Sequence, residues 1–154
     1  MKNYLWILLL LTSACSKPAV YGRERPVAPL TRIYAHPPAV TFPAAKKALT
    51  LLGYEVREEN AAEGTLRTNW TSTKATSHYT ELFDRKDFGT VGAYYKVEIV
   101  IRDRNGKSEV QVALPVKSLV AHQRSNTQEE RRILRKIGDL LRPDDFEMTN
   151  LGTE

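Results

Sequence analysis

Leu49–Trp70, LTLLGYEVREENAAEGTLRTNW, reads as the end of a helix, a glycine stop, a strand, a turn and a second strand. Leu49, Leu51 and Leu52 close an apolar helical run, and Gly53 stands where a left-handed residue ends a helix without a Cβ penalty. Tyr54 follows, placed to fold back onto the last turn. Tyr54 and Val56 then alternate with Glu55 and Arg57, the period of a half-buried strand. Glu58–Gly64 is polar and holds Asn60 and Gly64, a turn or bulged connection. Leu66, Thr68 and Trp70 resume the alternation against Thr65, Arg67 and Asn69. The stretch therefore predicts one helix packed on a two-stranded ribbon. Neither strand carries a catalytic group, which points to a binding or assembly module rather than an enzyme.

Outward from this ribbon the same periods recur. Upstream, Ala45, Ala48, Leu49 and Leu52 share one helical face, with Thr41 as the expected N-cap and Pro43 in the first turn. Arg32–Ala35 (RIYA) reads as a short strand ended by His36-Pro37-Pro38. Downstream, Tyr95, Val97, Ile99 and Ile101 alternate with Lys96, Glu98, Val100 and Arg102. Asn105-Gly106 is a hairpin signal, because both central residues of a type I′ turn need positive φ. Val110, Val112, Leu114 and Val116 answer on one face. Pro115 cannot donate to a ladder, so this strand is expected to lie at an edge or to end there. Ser118–Ser125 reads as a loop. Thr127-Gln-Glu-Glu130 fits a capping box opening a last helix whose buried stripe is Ile133, Leu134, Ile137, Leu140 and Leu141, with Arg131, Arg132, Arg135 and Lys136 facing away. The expectation is an α+β fold: a two-layer sandwich in the order β-α-β-β-β-β-α, an antiparallel sheet of about four to five strands with two helices on one face, helix-grip-like.

Between these elements lies His78–Gly92, HYTELFDRKDFGTVG, read as a long hairpin loop with at most one helical turn. A connection of that length in a compact domain is usually functional or disordered. Its aromatics Tyr79, Phe83 and Phe88 suit a contact surface, or cover an open end of the core. Trp70 either packs beneath a helix or lines a partner groove beside that loop. Tyr79, Phe83, Phe88 and Trp70 are thus the candidate interaction surface.

The chain has 154 residues, enough for one domain with a real core, and a net charge of +5. That balance is mild, and a basic surface of this size is usually just solvated. Lys2, the apolar run Leu5–Leu11 and the small residues Thr12-Ser13-Ala14 form a secretory signal, with an apolar run far short of the roughly 20 residues that a membrane helix needs. Cys15, the only cysteine, stands at the cleavage position. TSAC resembles the bacterial lipobox, although Thr12 occupies the place usually held by leucine. The resemblance implies that Cys15 is lipidated, that acyl chains anchor the protein, and, with Ser16 next, that it goes to the outer membrane with its domain toward the periplasm. The organisation is then a signal over 1–14, a lipidated cysteine and Pro-rich tether over 15–31, the α+β domain over 32–143 and an acidic tail over 144–154. Export makes nucleic acid an unnatural partner.

Enzyme signatures are missing. His36, His78 and His122 have no metal-ligand spacing, and GxSxG, GxxxxGK[ST] and GxGxxG do not occur. Glu58-Glu59 and Asp144-Asp145 are adjacent carboxylates in a turn and a tail, the usual place for solvated charge. No metal, catalytic group or cofactor is expected.

Signal, cysteine, Pro-rich tether, then Ala45, Leu49, Gly53, Tyr54, Val56, Gly64, Thr65, Leu66, Thr68 and Trp70 in the patterns AxxxLxxxGYxV and GTLxTxW resemble BamC-like lipoproteins. That family supplies a subunit of the outer-membrane β-barrel assembly machinery, and the likeness covers about residues 32–142 plus the leader. It implies a non-enzymatic accessory or scaffolding subunit in outer-membrane protein assembly, with a protein partner in the envelope. The family has two tandem domains and a long gripping segment, whereas this chain has one domain and a short tether. The alternative is a stand-alone binding module for an envelope lipid, glycan or peptide.

Overall fold

The computed structural model describes residues 22–74, 77–88, 92–119 and 123–142. The leader, Cys15, His122 and the acidic tail lie outside the described residues. Two helices, α1 (Pro38–Leu51) and α2 (Gln128–Leu141), cover an antiparallel sheet, so the fold is α+β, two-layered and helix-grip-like as the sequence implies.

Helix α1 begins earlier than expected. Pro37 is its N-cap and Pro38 its first residue, where a missing N–H costs nothing and the ring presets φ. Thr41, the expected cap, lies inside the helix and is fully buried. Its hydroxyl sits 2.9 Å from that of Ser108, which donates to the His36 carbonyl at 2.7 Å, tying α1 to the sheet. The C-terminal end is as read. Gly53 has φ +83°, its N–H donates to the Thr50 carbonyl and the Tyr54 N–H to that of Leu49, the paired bonds of a Schellman motif.

The ribbon follows: β3 (Val56–Asn60) and β4 (Thr65–Thr68), joined by a turn in which Asn60 Oδ1 accepts from the Ala62 and Glu63 N–H groups. Strand β9 (Glu98–Arg104) pairs with β4 and, across the Asn105-Gly106 turn, with β10 (Lys107–Ala113); β2 (Leu30–Tyr34) closes the sheet on the far side. The order is β2-β10-β9-β4-β3. The segment predicted as a tether therefore supplies β1 (Arg23–Arg25) and the first two residues of β2, whose remainder is the strand read at Arg32–Ala35.

A second sheet, β1-β11-β8-β5, continues the first beyond a bend. Strand β8 (Tyr94–Tyr95) prolongs β9, β11 (Val116–Ser118) prolongs β10, and β5 (Thr71–Ser72) prolongs β4. Pro115 marks the bend but not an edge: strands flank it on both sides, and its carbonyl accepts from the Lys96 N–H while it has no N–H to return. On β4 the bend is a bulge. Leu66 faces Ile99 and Arg67 faces Glu98, yet Thr71 faces Tyr95, so one extra residue intervenes. The Thr68 hydroxyl accepts the Val97 N–H at 2.9 Å beside it.

The inward rows are as the sequence implies. Leu66, Tyr95, Val97, Ile99, Ile101, Val110, Val112, Leu114 and Val116 are buried beneath Ala45, Ala48 and Leu49 of α1 and Ile133, Leu134, Ile137 and Leu141 of α2. Each large aliphatic side chain so buried contributes roughly 1.5–3 kcal/mol of transfer free energy.

The capping box does not form. Thr127 has φ +65° and no side-chain cap bond; the Asn126 side chain accepts from the Gln128 N–H instead. Glu130 turns inward, 2% exposed, and accepts from the Ser125 hydroxyl at 2.9 Å. No described helix is long and apolar enough to cross a membrane.

Candidate partner-binding surface

The stretch read as a long loop is a third sheet. Strands β6 (His78–Leu82) and β7 (Arg85–Asp87) form a tight hairpin, and β12 (Gln123–Ser125), within the stretch read as a loop after β11, pairs with β6. No helical turn occurs among its described residues. The alternation of this sheet sorts its side chains. His78 and Gln123 point inward and are buried. On the other face the Tyr79 and Phe88 rings meet at 5.7 Å between centroids, and the Lys86 ammonium stands 5.0 Å over Tyr79. Arg124 flanks them and pairs with Glu81 at 3.4 Å.

The turn is unusual in composition. Phe83 and Asp84 have φ of +49° and +60°, the type I′ geometry that the other hairpin reaches with Asn105-Gly106 at +57° and +77°. A β-carbon in this region costs about 1–2 kcal/mol, least for Asn or Asp and none for Gly. Phe83 bears that cost and is 97% exposed. A phenylalanine here contributes nothing to the core, so it does not cover an open end of it.

Of the four predicted surface residues, three therefore share one hairpin: Tyr79 and Phe88 paired on its face and Phe83 at its tip. Trp70 stands elsewhere. The bulge after Thr68 turns it to the outer face of the main sheet rather than beneath a helix. There the Lys96 and Lys117 ammonium groups lie 5.2 and 5.8 Å from its ring centre. Lys96 also pairs with Glu24 at 2.8 Å and Glu98 at 3.0 Å. Desolvation lowers the Lys96 pKa, but hydrogen bonds to these two carboxylates outweigh it and leave it raised. Trp70 thus lies half-buried at the bend of the sheet, apart from the hairpin.

Sequence reasoning missed a buried polar network under the N-terminal end of α2. The Tyr54 and Tyr95 hydroxyls lie 3.0 Å apart, and Tyr54 donates to Glu129 at 3.1 Å. Burial, above all, raises both tyrosine pKa values. His78 packs on the Tyr95 ring at 4.9 Å, with its Nδ1 2.8 Å from the Ser77 hydroxyl and its Nε2 unpartnered. Desolvation drops its pKa to about 4. The inward alternation of Tyr54 and Tyr95 was legible; a histidine in a polar stretch gave no sign of burial. Among the described residues no group of three or more His, Cys, Asp or Glu side chains could hold a metal ion.

No family model matches the chain, and no curated protein matches it. Among the solved structures that match is one titled "Crystal structure of Ara h 8.0201", with a TM-score of 0.39 and 12% identity over 77% of this chain and 99% of that one. A likeness this slight carries no argument about function.

Proposed function

We propose that the chain is a non-enzymatic lipoprotein of the outer membrane, held by acyl chains on Cys15, whose domain serves as an accessory subunit in envelope protein assembly. In this reading the β6–β7 hairpin is the partner-contacting element. The observation that carries the reading is Phe83: a large apolar side chain, fully exposed, placed where the backbone disfavours it. Strain kept at an exposed position is the mark of a functional residue rather than a structural one. The Tyr79–Phe88 pair and its two cations supply an amphipathic flank of the kind enriched at interface hot spots. The leader and the lipobox-like TSAC support the anchoring, and the BamC-like pattern supports the assembly role.

The test is a mild-detergent pull-down from membranes of the wild type, Cys15→Ser and Phe83→Asn. Recovery of barrel-assembly subunits with the wild type, reduced at least tenfold by Phe83→Asn, is expected. An outer-membrane wild type that brings down no protein, or a partner indifferent to Phe83→Asn, defeats the reading.

A further inference from the structure

A second surface lies at one edge of the main sheet. Strand β2 is outermost, bonded to β10 on one side and to no strand on the other among the described residues. Its free edge offers alternate N–H and C=O groups, the template that an added strand uses. Helix α2 runs beside it, and between them opens a groove of about 510 Å³ that extends into a second hollow of about 300 Å³.

The groove is built, not incidental. Gly138 lets Tyr34 approach the helix: a Cβ there would stand 3.3 Å from Tyr34 Cε1 and 4.0 Å from Arg32 Nη1. The Tyr34 hydroxyl donates to the Leu134 carbonyl, and burial pushes its pKa up to about 12. The Arg32 guanidinium lies over the Tyr34 ring at 5.4 Å. Arg131, Arg135 and Arg142 follow along the same stripe of α2. Arg131 and Arg135 are exposed, facing away from the core as the sequence implies, and both line the space beside β2. Among the described residues Arg32, Arg131 and Arg135 form no ion pair. Arg142 reaches Asp139 at 3.9 Å, and Asp139 is the one carboxylate lining either hollow.

We propose that this groove binds an extended acidic peptide segment, which adds as a strand to the free edge of β2 while its carboxylates meet the arginines. The spacing fits. Residues i and i+4 of a helix rise about 6 Å, close to the roughly 6.8 Å between alternate residues of a strand. Carboxylates on every second residue thus meet Arg131 and Arg135 in register, and planar guanidinium groups suit bidentate recognition. Charge complementarity selects the acidic peptide; the free edge selects its extended form. The proposal stands apart from the hairpin reading.

The experiment is fluorescence anisotropy of the full chain in mild detergent with a labelled seven-residue peptide alternating Asp and Val. Controls are the Asn-for-Asp version and a version with a central proline. The acidic peptide should bind, weaken with salt, and weaken at least tenfold on either control change or in Arg131→Ala/Arg135→Ala, while Phe83→Asn leaves binding unchanged. Equal binding of the proline peptide, or binding that ignores the arginine substitutions, overturns the proposal. So does binding that appears only after residues 143–154 are deleted, since the chain's own acidic segment then fills the groove. No peptide binding, with retention on phosphatidylglycerol vesicles lost in the arginine variant, gives the groove to a lipid headgroup and overturns it too.

Discussion

Phe83 and His78 sit five residues apart and make opposite demands. Phe83 is exposed in a left-handed conformation, so Phe83→Asn relieves backbone strain and should raise stability by up to about 1 kcal/mol in a denaturant titration, even as partner capture falls. A gain in stability with a loss of binding separates function from folding in one substitution. His78 is buried against Tyr95 and held neutral, with a pKa of about 4 against the ordinary 6.5. A depressed folded-state pKa means that the unfolded chain takes the proton first. Stability is therefore complete above about pH 6.5, falls as pH drops through the window toward 4, and levels below it. The shift corresponds to at most about 3 kcal/mol. His78→Gln should flatten stability against pH across that window; an unchanged slope assigns the acid sensitivity to other groups.

The elements test the ribbon that organises the fold. Gly53 and Gly64 both have positive φ, but their surroundings differ. A Cβ on Gly53 meets nothing within 4 Å, whereas one on Gly64 would stand 2.2 Å from the Ile101 carbonyl oxygen. Gly53→Ala should cost about 1–2 kcal/mol, the left-handed penalty alone. Gly64→Ala should cost at least about 3 kcal/mol, because β4 must leave β9, whose Ile101 N–H donates to the Gly64 carbonyl at 2.8 Å. Thermal unfolding of the two variants gives the order, and equal costs contradict the packing described. The same elements show what was legible in the sequence. Period-2 rows and the Schellman stop at Gly53 are local patterns, and they placed the main sheet and both helices. The Phe83-Asp84 turn carries neither Asn-Gly nor Asp-Gly, so a tight hairpin read as a long loop. The bulge before Thr71 flips parity, and parity alone cannot show it; Trp70 was therefore assigned the wrong face. Strand β1 is three residues long and pairs with β11, more than ninety positions away, a contact that no local pattern encodes.

Across the whole molecule, the two proposed surfaces are separate. The hairpin offers an aromatic tip at one place, and the β2–α2 groove offers arginines at another, while the core between them carries the buried Tyr54–Tyr95–Glu129 network that seats α2 on the sheet. Candidate residues split the same way: the aromatics of 79–88 were visible in the sequence as a cluster, but Arg32 joins Arg131 and Arg135 only after the chain folds. Cys15→Ser should move the protein from the membrane fraction to the soluble periplasmic fraction without changing its unfolding midpoint, a matter of fractionation and circular dichroism. The most direct test of the account is photo-crosslinking in intact cells, with benzoylphenylalanine placed at position 83 or, as a control, at the exposed α1 position Val40. One discrete envelope-protein adduct is expected from position 83 and none from position 40; equal adducts from both positions, or none from 83 in a correctly localised protein, would contradict a partner-contacting hairpin.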